Sequence, residues 1–172
     1  PEFARRLGCA IGQLIIARDV NTLFVARDGR LSSDALSESL CLGLVSSGCQ
    51  VIDLGVTSTP VLNFAIHNEG SACSGVMVTA SHNPGSDNGY KVYLGGVVDG
   101  VTYRGSQIIS PADKQISTHI KSIQSLKLVK RDTNWQVLDE DIVEKYVYSM
   151  KNQINNYDHN YWQLVLKRPG IL

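Results

Sequence analysis

Three short apolar runs punctuate the first half of this chain, and stretches of helical periodicity separate them. The runs are Leu23-Phe24-Val25-Ala26, Val51-Ile52-Asp53-Leu54 and Gly75-Val76-Met77-Val78-Thr79. They have the length of strands and almost no polar face, as strands covered on both sides do. A helix is expected over residues 3–18, where Leu7, Ala10, Ile11, Leu14 and Ile15 recur at helical spacing. Ser32 or Ser33 can cap a second helix, with Asp34 near its positive end, a stripe of Leu36, Leu40 and Leu44, and a stop at Gly48. Thr59-Pro60 opens a third, which carries Val61, Leu62, Ala65 and Ile66. Such alternation predicts an α/β fold, a three-layer α/β/α domain around a largely parallel sheet. Tyr90-Lys91-Val92-Tyr93 reads as the next strand. Its connection to the third run is too short for a parallel crossover, so it is expected to be antiparallel and to complete a mixed, mostly parallel four-stranded sheet. Gly95-Gly96-Val97-Val98-Asp99-Gly100 reads as a flexible loop. Ser110-Pro111 begins a helix with Ile116, Ile120 and Ile123 inward, and a last helix is expected over residues 140–154.

The charge balance narrows the function classes. Sixteen Lys and Arg against sixteen Asp and Glu give a net charge of zero, without the footprint of a general nucleic-acid or membrane-surface binder. At 43% apolar residues the composition is that of a folded domain. No apolar run approaches the roughly 20 residues that span a bilayer, and the N-terminus has no signal-peptide pattern. The chain starts at Pro1 rather than Met, which reads as processing or as a fragment. Cys9, Cys41, Cys49 and Cys73 fall in no metal-binding spacing and read as buried free thiols of a cytoplasmic protein.

In open α/β sheets, ligands bind at the carboxyl ends of strands. Two loops qualify: Arg27-Asp28-Gly29-Arg30, and Thr79-Ala80-Ser81-His82-Asn83-Pro84 with the Asp87-Asn88-Gly89-Tyr90-Lys91 that follows. The second is dense in functional groups. Ser81 offers a nucleophile or phosphoryl acceptor, and His82 and Lys91 are cations or proton carriers. Asn83 and Asn88 can orient a ligand. A Ser next to a His in sequence does not make a dyad, because neighbours rarely face each other. Phosphate chemistry suits the inventory better than acyl transfer. A phosphoserine at position 81 would carry a charge of about −1.5 to −2, for which Lys91, His82, Arg27 and Arg30 supply counter-charge. A metal such as Mg²⁺ would also be expected. It needs carboxylates, and no Asp-x-Asp pair stands in or beside the loop, so the site reads as half built.

These residues resemble a known family. Gly75-Val76-Met77-Val78-Thr79-Ala80-Ser81-His82-Asn83-Pro84 with Asp87-Asn88-Gly89-Tyr90-Lys91-Val92-Tyr93 is similar to the active-site serine loop of the α-D-phosphohexomutases, the phosphoglucomutases and phosphomannomutases. Val25-Ala26-Arg27-Asp28-Gly29-Arg30, Gly55-Val56-Thr57-Ser58-Thr59-Pro60 and Gly105-Ser106-Gln107-Ile108-Ile109-Ser110-Pro111 match in the same order. The resemblance implies an intramolecular phosphotransferase that interconverts sugar 1- and 6-phosphates. Ser81 would carry the phosphoryl group, donate it, and recover the other phosphate once the bisphosphorylated sugar has reoriented. His82 would lie beside it, and Lys91 would neutralise charge or move a proton. Mg²⁺ would bridge the Ser81 phosphate to an aspartate-rich loop, and a glucose 1,6-bisphosphate-type compound would act as activator.

Complete family members have four domains, and only the first is expected here. The resemblance makes residues 1–154 domain I, truncated at its N-terminus, and residues 155–172 a linker or the start of domain II, with Gln163-Leu164-Val165-Leu166 as the candidate strand. Its partners would be a hexose phosphate and the remaining domains, and the isolated chain would be inactive. The missing metal loop leaves an alternative, a non-catalytic sugar-phosphate-binding or regulatory domain. A third possibility is a bare folding unit.

Overall fold

A computed structural model describes residues 1–69, 73–98, 101–126, 133–138 and 141–155. Two compact units divide the chain, Pro1–Asp139 and Glu140–Leu172. The first opens with helix α1 (Glu2–Ile16), strand β1 (Thr22–Arg27), helix α2 (Ser33–Ser46), strand β2 (Gln50–Val56) and helix α3 (Thr59–Asn68). It continues with β3 (Cys73–Val78), β4 (Tyr90–Val98), β5 (Val101–Gln107), α4 (Ala112–Ser122) and the two-residue β6 (Gln136–Val137). The second unit contributes one described helix, α5 (Asp141–Asn155), with an exposed ion pair between Lys145 and Asp141 one turn apart. The segment 163–166, expected to begin a strand, lies outside the described residues.

The described strands form one sheet of six, in the order β5-β4-β3-β1-β2-β6. β1 pairs in parallel with β2 and β3, and β2 with β6; β3–β4 and β4–β5 are antiparallel. The sheet is therefore mixed and mostly parallel, as expected, but it is not four-stranded. The glycine-rich stretch expected to be a loop instead extends β4 to Val98 and turns into β5; Asp99 and Gly100 lie outside the described residues. Glycine serves this hairpin rather than breaking it. Gly105 sits at φ +77° where the β4–β5 register shifts, the backbone a bulge asks for. A Cβ on Gly96 would press on Val20.

Layering follows from side-chain alternation. Leu23, Val25, Val51, Val76, Val78, Val92 and Leu94 face a core built with Leu7, Ile11 and Ile15 of α1, Leu40 and Leu44 of α2, and Ile116 of α4. The opposite face carries α3, where a Cβ added to Gly75 would meet Leu62 and Ile66. α1 and α2 touch backbone to backbone: a Cβ on Gly43 would run into the Arg5 carbonyl, and one on Gly8 into the Leu40 carbonyl. The four cysteines are buried and free, and burial pushes the Cys41 and Cys49 thiols up to about 12. No described helix is long and apolar enough to cross a membrane.

This topology fixes where a ligand can sit. From β1 the chain steps to β2 through α2, then crosses back through α3 to β3 on the other side of β1. The two crossovers lie on opposite faces, as right-handed connections require. The carboxyl ends of β1 and β3 are thus neighbours at the point where strand order reverses, and Asp28 N–H donates to the Val78 carbonyl there at 3.0 Å.

Candidate functional site

β3 ends at Val78, and the chain leaves the sheet in a loop that closes on itself. Thr79 N–H donates to the Gly89 carbonyl at 2.9 Å, with turns at Ala80–Asn83 and Pro84–Asp87 between. Ser81 stands exposed in the first turn at φ +56°, left-handed backbone that non-glycine residues adopt at a cost of order 1 kcal/mol. Its N–H donates to Thr79 Oγ1 at 3.0 Å, and its carbonyl accepts from Arg30 Nη2 at 3.0 Å.

Arg30 fills the inside of the loop. Nη2 also reaches the Asn83 carbonyl at 3.1 Å, and Nη1 donates to the carbonyls of Pro84 at 2.6 Å and Asp87 at 3.0 Å. Its Nε donates to Asp28 Oδ2 at 2.8 Å. The other Asp28 bonds come from Thr79 Oγ1 and Ser33 Oγ, both at 2.8 Å, and from Arg30 N–H. Burial works to raise the pKa of Asp28, but the hydrogen bonds from Thr79, Ser33 and Arg30 outweigh it and hold the carboxyl down at about 2.

The remaining candidates divide between loop scaffold and open positions. Asn88 Nδ2 ties the loop to α2 through the hydroxyls of Ser32 and Ser33, both at 2.9 Å. Asn83 Nδ2 donates to Asp87 at 3.2 Å across its own turn. Arg27 turns to the α2 side of the sheet, where Nε meets Asp34 at 2.5 Å and Nη1 meets Asp53 at 3.3 Å. His82 is exposed beside Ser81. Lys91 lies opposite Met77, one register position inside the Val78–Tyr90 pair at the base of the loop. It is on the α3 face, because Val76 and Val78 point to the other. Ser81, His82, Asn83, Asn88 and Arg30 thus share one loop cluster, Lys91 stands at its base, and Arg27 is engaged by Asp34 and Asp53. A groove of about 550 Å³ lined by Asp28, Gly29, Arg30, Leu31, Asn83 and Gly85 runs alongside.

Asp28, Ser33 and Thr79 were not singled out as site residues from sequence, yet they hold the loop. The sequence signal for Thr79 is its place two residues before Ser81, the spacing of a hydroxyl that accepts a nearby N–H. For Asp28 it is the i, i+2 spacing from Arg30. A divalent metal does not fit the described acids around this loop. Among the described residues, no three His, Cys, Asp or Glu side chains converge. Asp28 is saturated by its four bonds, and Asp87 is engaged by Asn83 and Ser86.

Comparison with known proteins finds relatives of this sequence and fold. The family model described as phosphoglucomutase/phosphomannomutase, alpha/beta/alpha domain I, matches residues 1–127. A phosphomannomutase/phosphoglucomutase of Pseudomonas aeruginosa is 39% identical over 134 residues, 76% of this chain and 28% of its own. A phosphoglucosamine mutase of Lactococcus lactis is 42% identical over 97 residues, 55% of this chain and 21% of its own. A crystal structure of a phosphoglucomutase/phosphomannomutase family protein from Burkholderia thailandensis superposes with a TM-score of 0.65 at 30% identity, covering 84% of this chain and 30% of that one. The chain therefore spans less than a third of the length of these relatives.

Proposed function

The chain belongs to the phosphoglucomutase/phosphomannomutase family and carries its α/β/α domain I; from that premise we propose that Ser81 is the phosphoryl carrier of a hexose-phosphate mutase. The observation that carries this is the conformation of Ser81, exposed at φ +56° at the sheet's switch point and fixed through both its backbone groups. Phosphoryl transfer asks a protein for positioning and charge stabilisation rather than covalent chemistry. In the donating step the P–O bond to Ser81 Oγ breaks as one to a sugar hydroxyl forms. The hydroxyl proton leaves to a base, and the Ser81 oxygen takes one up. In the second half the reoriented bisphosphate returns its other phosphoryl group to Ser81.

The site's cations separate by role. Arg27 and Arg30 are already neutralised by Asp34, Asp53 and Asp28. His82 and Lys91 make no ion pair among the described residues, so the counter-charge and proton traffic fall to them. The carboxylates for Mg²⁺ are assigned to other segments of the full-length protein, and the isolated chain is expected to be inactive. The names of the relatives, phosphomannomutase/phosphoglucomutase and phosphoglucosamine mutase, support glucose, mannose and glucosamine phosphates as the substrate class of this proposal. The test is incubation of the full-length protein with labelled glucose 1,6-bisphosphate, followed by phosphopeptide mapping. Label on the Ser81 peptide, lost in Ser81→Ala, is the expected outcome; label elsewhere overturns the assignment.

A further inference from the structure

Both backbone groups of Ser81 are held from a single carboxylate oxygen. Asp28 Oδ2 accepts from Thr79 Oγ1 at 2.8 Å, and that hydroxyl accepts the Ser81 N–H at 3.0 Å. The same Oδ2 accepts from Arg30 Nε at 2.8 Å, and Arg30 Nη2 donates to the Ser81 carbonyl at 3.0 Å. The result is a closed ring, Asp28–Thr79–Ser81–Arg30, around the peptide that bears the nucleophile. We propose that Arg30 is a positioning residue for phosphoryl transfer, presetting the left-handed backbone of Ser81 instead of binding the substrate phosphate. The proposal rests on the assignment of Ser81 as phosphoryl carrier.

Hydrogen-bond accounting supports it. A guanidinium has five N–H donors, and the five side-chain bonds of Arg30 go to Asp28 and to the carbonyls of Ser81, Asn83, Pro84 and Asp87. None is left for a phosphate. Its side chain is only 12% exposed, so an incoming anion would have to displace loop carbonyls to reach it. The four carbonyls are spread around the fork, which suits a planar guanidinium and not a point ammonium. A residue of this kind acts on the geometry of the reacting oxygen. Its loss appears in the chemical step, whereas loss of a phosphate ligand common to ground and transition states appears in KM.

The experiment uses the full-length enzyme with Arg30→Lys, Thr79→Val and Thr79→Ser, each checked for folding by circular dichroism. Arg30→Lys and Thr79→Val are expected to lower kcat, and the rate of Ser81 labelling by glucose 1,6-bisphosphate, by about ten- to a hundredfold. KM for glucose 1-phosphate stays within about twofold, and Thr79→Ser retains most of the rate because its hydroxyl remains. A raised KM with unchanged kcat in Arg30→Lys makes Arg30 a phosphate ligand and overturns the proposal, as does an unchanged kcat with unchanged KM. If Arg30→Lys fails to fold, the Thr79 pair decides: equal rates in Thr79→Val and Thr79→Ser overturn it. The unsubstituted enzyme separates the two claims. Absence of label there removes the assignment of Ser81 itself; label there with indifferent variants removes only the role of Arg30.

Discussion

Replacing Gly43 by Ala tests the packing that holds α1 against α2. The added Cβ would overlap the Arg5 carbonyl and lie 2.8 Å from Cys9 N and 3.0 Å from the Gly8 Cα. All three are backbone atoms inside a helix, so no side chain can rotate away. Ordinary contact needs roughly 3.5–4 Å, so the helices must separate by about 1 Å, which forfeits up to half of the dispersion along the seam. Overpacking of this kind costs about 3 kcal/mol at the upper end of its usual range. Ala returns up to about 1 kcal/mol of helix propensity. The net expectation is a loss of about 2 kcal/mol, a fall in Tm of about 4–8 °C for a chain of this size. Urea unfolding of this chain followed at 222 nm reads it, with Gly29→Ala as the control, since a Cβ there meets nothing within 4 Å. Gly8→Ala should cost a similar amount, and the double variant clearly less than the sum, because one separation relieves both clashes. A neutral Gly43→Ala, or strict additivity, would refute a backbone-to-backbone seam.

Two further outcomes follow. The carboxyl of Asp28 titrates at about 2 in the fold against an ordinary value of 3.8, so its stabilisation is complete above about pH 4 and is lost as pH falls toward 2. Asp28→Asn should remove about 1–2 kcal/mol of that pH dependence, read as urea midpoints across the window; identical slopes in the two proteins would contradict it. Lys91→Gln in the full-length protein should lower kcat about a hundredfold or more while shifting the chain's stability by less than about 0.5 kcal/mol, and a fully active variant would remove Lys91 from the chemistry.

The central strands were legible because burial on both faces writes itself as an unbroken apolar run: all six residues of β3 and the inner four of β1 are buried. The edge of the sheet was not. β5 carries Thr102, Arg104 and Ser106 with a bulge glycine, and β6 is two exposed residues that exist by pairing with β2. Neither owes its form to a hydrophobic pattern, so neither leaves one. The site shows the same division. The density of functional groups around Ser81 was visible in the sequence, whereas the division of labour among the arginines was not. Arg27 pairs with Asp34, and Arg30 with Asp28. Which acid meets which arginine is decided only when the chain folds, and four of the five side-chain partners of Arg30 are main-chain oxygens, anonymous in any sequence.

The enclosure of Arg30 has a consequence for the outer surface of the loop. A peptide is planar and, at these positions, trans, so each carbonyl aimed at one side sends the following N–H to the other. The carbonyls of Ser81, Pro84 and Asp87 point inward at the guanidinium, and the N–H groups of His82, Gly85 and Asn88 are thereby turned outward. The carbonyl of Asn83 is followed by Pro84, which has no N–H to turn. By drawing the loop's negative dipole ends onto itself, an internal cation leaves the positive ends of those peptides aimed away from it. The polarity of those main-chain donors is one that no titration within the physiological range can remove.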